Sequence, residues 1–593
     1  MTSVAQFIAA RLPVWDVDRV FGVPGGTVDP LVTALAGDAS TPEFVQARHE
    51  ESAALMACAH GKLTGRTGCC LAGSGPGALR LLGGLYDAAL DRCPVLAVVG
   101  DEPVPAGVSD RRRAVPASQL FAHVSEYSER VTDPALVATA LDRALRAAVS
   151  GRGVATLVVP RAVLDAEVPA GLRGDQQPTA SPLYLSPPVR PSDRDVRRVA
   201  NLLNGAERVA VVVGPDAAGA AGQIREAAEL LGAGLARTPL GRDVLPDDLP
   251  QVTGVAAAGY GSAPAAALVR DCDTLLLVGA HDFDTVLLPD TGPRHVISLD
   301  ADRGACPVDD TVPSAVRLTG HVATALDTLL PLLRRQTDRR WLDGVEQAVR
   351  EWHAQGRTKA RRFYGMAVSP RSVVAELSAR LPDRTVVVTD SGTALDWWTR
   401  HLRLRDGMRA ALSRHLGTPG AAVPYALAAR LAFPDRPVVA LIGDGALQAG
   451  GMNELITVRR HLERLAELPP TLFCVLNNED LSRLTWERRT AAGDPRIPAT
   501  GEVPAVSYTD YAGLLGLPAI RCERPGEVAP VWQEALAGRG PKLLEFLVDG
   551  DTPPDWAEPA EHRDTVEPVL GSGGTGAWRR RIATTVSDLF GSA

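Results

Sequence analysis

Seven short, almost purely aliphatic runs punctuate the chain, at residues 95–99, 154–159, 209–213, 274–278, 386–388, 438–442 and 472–476. Stretches with apolar residues at helical spacing separate them. A strand that is apolar on both faces needs cover on both faces, which parallel sheets between helices provide; a strand with one wet face would alternate. The pattern predicts an α/β protein.

Proline and charge divide that pattern. Six prolines fall between Pro169 and Pro191 among Gly, Ser and Gln, a composition that favours an extended linker over a packed element. The division expected is a first unit over 1–165, a linker over 166–192, a central unit over 193–335, a charged helical connector over 336–370, a third unit over 371–550 and a tail over 551–593. The three units read as doubly wound parallel-sheet domains, with no short-period repeat. In the tail, Trp578, Ile582, Thr585, Val586, Leu589 and Phe590 recur at helical spacing beside the basic run Arg579 to Arg581. Such a helix could lie on a lipid surface, but packing back onto the protein is the expectation.

Composition adds limits. At 593 residues, 45% hydrophobic and 22% charged, the chain can build several full cores, and no apolar run reaches membrane-spanning length. A net charge of −8 gives no footprint for nucleic acid. The first residues open directly into an amphipathic pattern without a signal peptide's charged and apolar regions, so cytoplasmic residence is expected. Eight scattered cysteines, none in a CxxC pair, predict free thiols and no zinc site.

The run at 438–442 delivers Gly443-Asp444-Gly445, and the run at 472–476 delivers Asn477-Asn478. Both motifs are therefore expected at the carboxyl edge of one sheet, where open α/β sheets bind ligands. A hard divalent cation takes oxygen ligands, and a carboxylate, an amide oxygen and a backbone carbonyl can supply them alongside phosphate oxygens. Glycines let backbone amides approach a diphosphate closely. A lone Gly-Asp-Gly is most often a plain turn, but its placement after a buried strand, paired with Asn-Asn after the next, favours the ligand reading.

At these residues the chain resembles the thiamine-diphosphate family of pyruvate oxidases, acetolactate synthases and 2-oxo acid decarboxylases. The resemblance implies magnesium on Asp444, Asn478 and the carbonyl of Asp480, with the diphosphate near Gly443, Gly445, Ala446 and Asn478. The interval between the two motifs is slightly longer than the family's, and the extra residues are expected within 461–470. A second half-site matches near the amino terminus. Phe21-Gly-Val-Pro-Gly-Gly26, Arg48-His-Glu-Glu51 and Gly73-Ser-Gly-Pro-Gly77 follow one another in family order. By position Glu50 carries over as the carboxyl that shares a proton with the aminopyrimidine, and Pro24, Gly25, Gly26, Ser74 and Gly75 as residues around that ring. Further matches at Asp390-Ser-Gly392, Trp397-Trp398, Val423-Pro-Tyr-Ala426 and Leu484-Thr-Trp-Glu-Arg488 lie nearest the pyruvate-oxidase-like subgroup.

Four departures bear on the reaction. Where the family has a bulky residue beneath the cofactor, Gly417-Thr-Pro-Gly420 places Pro419, shorter and rigid. Where it has a Phe-Gln pair lining the substrate pocket, this chain has Arg112 and Arg113, suited to a carboxylate or phosphate; Arg483 is a third candidate for that task. The paired histidines and the glutamate of simple decarboxylases are missing, with Leu484 at the glutamate position. The segments 238–246 and 297–302 look like degenerate forms of the family's flavin segments, no GxGxxG is seen, and His321 replaces an expected Asp, so FAD is left open.

The resemblance thus implies decarboxylation of pyruvate or a related 2-oxo acid, followed by oxidation or carboligation, in a homodimer or homotetramer with active sites between subunits. An acetolactate-synthase-like carboligase on a larger anionic substrate and a degenerate, non-catalytic scaffold are the alternatives.

Overall fold

The aliphatic runs form the inner strands of three sheets, each six strands wide and parallel throughout. The computed structural model describes residues 2–37, 39–102, 115–172, 174, 190–289, 292–301, 315–362, 367–493 and 495–558. The linker segment 175–189, Arg112, Arg113 and the amphipathic segment 578–590 lie outside the described residues.

The first sheet contains β1 (Arg19–Gly22), β2 (Glu43–Gln46), β3 (Gly68–Ala72), β4 (Val95–Asp101), β5 (Ser125–Arg130) and β6 (Val154–Pro160), in the order β2-β1-β3-β4-β6-β5. The central sheet contains β7 (Val209–Val213), β8 (Gly234–Arg237), β9 (Val252–Val255), β10 (Thr274–Val278), β11 (His295–Asp300) and β12 (Ala315–Thr319), in the order β12-β11-β10-β7-β8-β9. The third contains β13 (Val386–Thr389), β14 (Arg409–Leu412), β15 (Val438–Gly443), β16 (Thr471–Asn477), β17 (Ala519–Cys522) and β18 (Pro541–Leu547), in the order β14-β13-β15-β16-β18-β17. Numbered within each unit, the first and third sheets share one strand order, whereas the central sheet has the order of a dinucleotide-binding fold. The chain therefore carries two copies of one architecture around a different middle unit. Among the described residues no helix is long and apolar enough to cross a membrane.

In the first and third units the helix after the second strand occupies the same place: Glu50–Thr64 in one and Ala422–Ala432 in the other. These two helices pack against each other, and their buried residues belong to one continuous core. Small side chains make the approach close: Ala53, Ala54, Ala57 and Cys58 on one helix, Ala422, Ala426 and Ala429 on the other, all fully buried. Cys58 Sγ lies 3.5 Å from Tyr425 Oη across the seam.

Charge is buried at the same seam. Lys62 Nζ donates to Asp91 Oδ2 (2.6 Å), to Tyr425 Oη (2.7 Å) and to the Leu412 carbonyl (2.9 Å), and stands 3.4 Å from Asp87 Oδ2. Desolvation works against the ammonium, but the two carboxylates outweigh it and hold the Lys62 pKa well above the ordinary lysine value. A second strut, between the central and third units, consists of Arg237, Arg242 and Asp247. Arg242 donates to the Leu402 carbonyl (2.6 Å), and Asp247 accepts from the Leu404 N–H (2.7 Å). The connector helix, Arg340–Ala360, is pinned to the central unit by Trp341, whose indole donates to the Val209 carbonyl at 2.9 Å.

Replacing Lys62 with Met should leave Asp87 and Asp91 buried without the ammonium that faces them both. A loss of about 3–5 kcal/mol in the unfolding free energy is expected by chemical denaturation, and a loss below about 1 kcal/mol would show that the cluster does not bind the units together.

Candidate active site

In the third sheet the chain leaves β13 toward β14 on one side and β15 toward β16 on the other, so the crevice between β13 and β15 is the topological switch point. Four segments emerge there: Asp390-Ser-Gly392 after β13, residues 413–420 after β14, Gly443-Asp444-Gly445 after β15 and Asn477-Asn478 after β16. Gly392 caps the helix Thr393–His401 at φ +83°, and a helical stretch starts at Asp444, so two helix amino termini face this edge. A Cβ on Gly392 or on Gly443 would meet nothing within 4 Å, so the space above both is open. A cradle of backbone N–H groups beneath open space suits a diphosphate.

Asp444 is buried, and its bonds run to the backbone. Oδ1 accepts from the Gly445 N–H at 2.8 Å, and Oδ2 from the Asn478 N–H at 3.1 Å and the Glu479 N–H at 2.6 Å. Glu479 adopts φ +53°, a strained conformation for a residue with a side chain, and this turn brings its N–H onto Asp444. Burial pushes the Asp444 pKa up to about 6 against those donors. The two asparagines divide their work: Asn477 donates from Nδ2 to the buried Glu545 at 2.9 Å, while Asn478 reaches Ser482. Asp480 is buried, with Oδ1 3.1 Å from Arg496 Nε. Among the described residues no group of three or more His, Cys, Asp or Glu is placed to hold a metal. A carboxylate, an amide and a carbonyl beside a diphosphate would instead give the oxygen set that a hard cation takes, and the residues present fit magnesium with thiamine diphosphate.

The first unit has its switch point between β1 and β3. The loop carrying Pro24, Gly25 and Gly26 follows β1, and the loop carrying Ser74 and Gly75 follows β3. Thr27 knits them: its Oγ1 accepts from the Ser74 N–H at 2.9 Å, and a Cβ on Gly100 would meet that oxygen at 2.5 Å. Glu50 opens the helix after β2 and is 8% exposed, with Oε2 3.6 Å from Arg80 Nη1. A Cβ on Gly77 would stand 3.1 Å from Glu50 Oε1, so glycine there makes room for the carboxylate.

Segment 413–420 is gripped by all three units. Ser413 donates to Asp87 Oδ1 (2.6 Å), the Arg414 and His415 N–H groups donate to Asp91 (2.9 and 3.0 Å), and His415 Nδ1 lies 2.7 Å from Asp91 Oδ1. Arg414 reaches both oxygens of Asp284, in the central unit, at 2.7 Å. Asp390 Oδ1 accepts from the Gly420 N–H at 2.9 Å, and burial pushes the Asp390 pKa up to about 7. Pro419 is exposed at the end of this rigid segment and, as a proline, presents no N–H.

Behind Pro419, the helix that starts at Asp444 widens into one π-helical turn over Leu447–Gly451. A Cβ on Gly420 would meet the Gly450 backbone at 2.7 Å, so the π turn and the Pro419 segment touch main chain to main chain. A π turn takes up one more residue than an α turn. The turn lies between the Gly-Asp-Gly and Asn-Asn motifs, ahead of residues 461–470.

Arg483 is committed elsewhere. It pairs with Asp396 (3.0 Å) and Glu487 (2.7 Å), and its guanidinium lies 4.6 Å from the Trp556 ring centre. An anionic substrate would have to compete with both carboxylates. Leu484 is 36% exposed one position further along the helix Ser482–Ala492.

Among the described residues of the central unit, the edge where a dinucleotide-binding fold takes its ligand is closed. At its switch point, between β7 and β10, a Cβ on Gly214 would lie 2.2 Å from the Gly279 carbonyl oxygen, so the two loops close on each other. Asp216 is paired there with His281 (3.2 Å) and with Arg152 of the first unit (2.5 Å). Asp282 is buried with its pKa raised by desolvation, and accepts from the Leu240 N–H at 2.8 Å. These carboxylates are thus committed to partners within the protein.

Comparison with known proteins agrees with this geometry. Residues 2–113 match the thiamine pyrophosphate enzyme N-terminal TPP binding domain, residues 196–329 the central domain, and residues 390–546 the C-terminal TPP binding domain. The chain is 29% identical to the thiamine pyrophosphate-containing protein YdaP of Bacillus subtilis (strain 168), over 93% of this chain and 92% of that one. It is 26% identical to pyruvate oxidase of Lactiplantibacillus plantarum, over 91% and 88%, and 28% identical to acetolactate synthase of Mycobacterium bovis, over 92% and 88%. Fold and family matches define a three-domain α/β protein of the thiamine pyrophosphate enzyme type. The chain belongs to the thiamine pyrophosphate enzyme family, of the type that includes pyruvate oxidases and acetolactate synthases.

Sequence reasoning missed Thr27, Asp87, Asp91 and Glu454 as supporting residues. Asp87 and Asp91 did leave a signal: two acids one helical turn apart on an otherwise apolar face.

A metal on Asp444 must displace its proton. With the pKa near 6, Mg2+ affinity should fall about tenfold per pH unit below that value and level off above about pH 7. Magnesium titrations of the protein with thiamine diphosphate from pH 5 to 8 measure this, and a flat profile would remove Asp444 as a ligand.

Proposed function

We propose that the chain is a thiamine-diphosphate- and magnesium-dependent enzyme that decarboxylates pyruvate or a related 2-oxo acid. The observation that carries this reading is that the candidate residues lie at equivalent switch points, Asp444 buried among backbone donors with no cationic side-chain partner among the described residues, and Glu50 over Gly77. Asp444, Asn478 and the Asp480 carbonyl would hold the metal, with Gly392, Gly443, Gly445 and Ala446 beside the diphosphate. Pro24 to Gly26, Ser74, Gly75 and Pro419 would enclose the rings. When bound, the cofactor supplies a nucleophilic carbon and an electron sink for loss of carbon dioxide. Glu50 holds the proton shared with the aminopyrimidine. Asp390 and the clamped 413–420 segment keep the shelf rigid, and low exposure around Glu50 keeps water off the shared proton.

Two further points support a finer reading. The close approach of Gly214 to Gly279 at the central switch point supports addition to a second carbonyl, which needs no dinucleotide, over oxidation through a bound flavin. Arg112 and Arg113 remain the proposed contacts for the substrate's anionic group. We also propose a homodimer or larger assembly with sites completed between copies: Leu79, Tyr86 and Leu90 form an exposed apolar stripe along the helix Pro76–Leu90, which also bears Arg80, the partner of Glu50.

Thiamine diphosphate with Mg2+ should raise the melting temperature, since saturation at a hundred times Kd adds about 2.7 kcal/mol to stability. Holo-protein given a panel of 2-oxo acids should release carbon dioxide with carboligation products, and Glu50→Gln should lower turnover at least about 100-fold. Stabilisation without turnover on any acid would instead support a cofactor-binding scaffold, and stoichiometric peroxide would support an oxidase.

A further inference from the structure

Because the first and third units share one strand order, each has a helix after its third strand and a loop leading into the helix after its second. Asp87 and Asp91, at the end of the helix Pro76–Leu90, cross from the first unit to the loop that carries Pro419 in the third. A matching contact runs the other way. Glu454, on the helix Met452–Arg460 that continues from Asp444, crosses to the loop that carries Glu50. Its Oε1 accepts from the Arg48 N–H at 3.0 Å and the His49 N–H at 3.1 Å, and its Oε2 accepts from Thr457 Oγ1 at 2.7 Å. The residue is 0% exposed.

We propose that Glu454 is the positioning residue for Glu50, fixing the backbone that aims the Glu50 carboxyl at the aminopyrimidine of thiamine diphosphate. The inference rests on the function proposed above. Two successive N–H groups held by one oxygen set the orientation of the peptide planes on either side of Arg48, just ahead of the helix that Glu50 opens. The opposite side is equally tight, since a Cβ on Gly83 would meet Glu51 Oε1 at 2.2 Å and one on Gly84 the Glu51 carbonyl oxygen at 2.7 Å. The negative charge also lies at the amino terminus of the helix Glu50–Thr64, the end that favours an anion. Burial pushes the Glu454 pKa up, and the Thr457 hydroxyl and the two backbone donors pull against it, so the bonds that orient the loop also stabilise the charge.

The test is the rate at which the C2 hydrogen of bound thiamine diphosphate exchanges with deuterium, read by acid quench and proton NMR, beside cofactor affinity by calorimetry. Glu454→Ala should slow exchange at least about tenfold while affinity stays within about threefold, because only the aim of Glu50 changes. Glu454→Gln keeps an acceptor oxygen and should restore exchange to within about threefold of wild type. Wild-type exchange in Glu454→Ala would overturn the proposal, as would a Gln variant as slow as Ala. Should the Ala variant fail to fold, Glu454→Asp, which withdraws the oxygens by one methylene, takes its place with the same outcomes. Glu50→Gln is the control: wild-type exchange there would overturn the role of Glu50, and with it the function on which this inference depends.

Discussion

Two helices in equivalent places, Glu50–Thr64 and Ala422–Ala432, pack at a distance that only small side chains permit, and the rest of the site follows from that contact. The start of one helix carries Glu50. The loop into the other carries Pro419. Holding the helices together therefore fixes where two functional segments stand relative to each other, although they are separated by most of the chain. The close approach also traps Lys62, Asp87, Asp91 and Tyr425 away from water, and buried charge is tolerable only when it is matched and hydrogen-bonded. Packing and electrostatics thus impose the same geometry.

The central unit illustrates how a domain can be kept while its task changes. It retains the strand order of a dinucleotide-binding fold, but its switch point is closed by Gly214 against Gly279 and lined with acids. One of those acids, Asp284, turns outward to Arg414 and so takes part in holding the cofactor shelf. Resemblance to pyruvate oxidase and to acetolactate synthase at similar identity is in keeping with a chain that shares their frame and differs in the residues around it.

Much of this architecture was legible in the residues. Strands buried on both faces, such as β7 and β10, could be read to the residue because nothing polar interrupts them. Edge strands such as β5, with its Ser-Glu-Tyr-Ser-Glu-Arg sequence and half-exposed side chains, carry no such signal. The Gly-Asp-Gly and Asn-Asn motifs located one half-site and the glycine loops the other, because both depend on local backbone chemistry that leaves a mark in sequence. The clamps left less: Asp87 and Asp91 show only as two acids one turn apart on an apolar helix face. Glu454 and the Asp87–Asp91 pair act across a contact between units more than three hundred residues apart, and an acid on a helix usually means a wet surface.

The buried carboxyl of Asp444 has a bearing on the life of the protein in a cell. A buried acid held among backbone donors, with no cationic side chain beside it among the described residues, is costly to ionise in the empty chain, and on the proposed function a bound metal would relieve that cost. Newly made chains would then mature at a rate set by vitamin supply, and unloaded ones would open more often to proteases. On that view abundance tracks nutrition without any dedicated regulator, through one side chain placed where it cannot be comfortable alone.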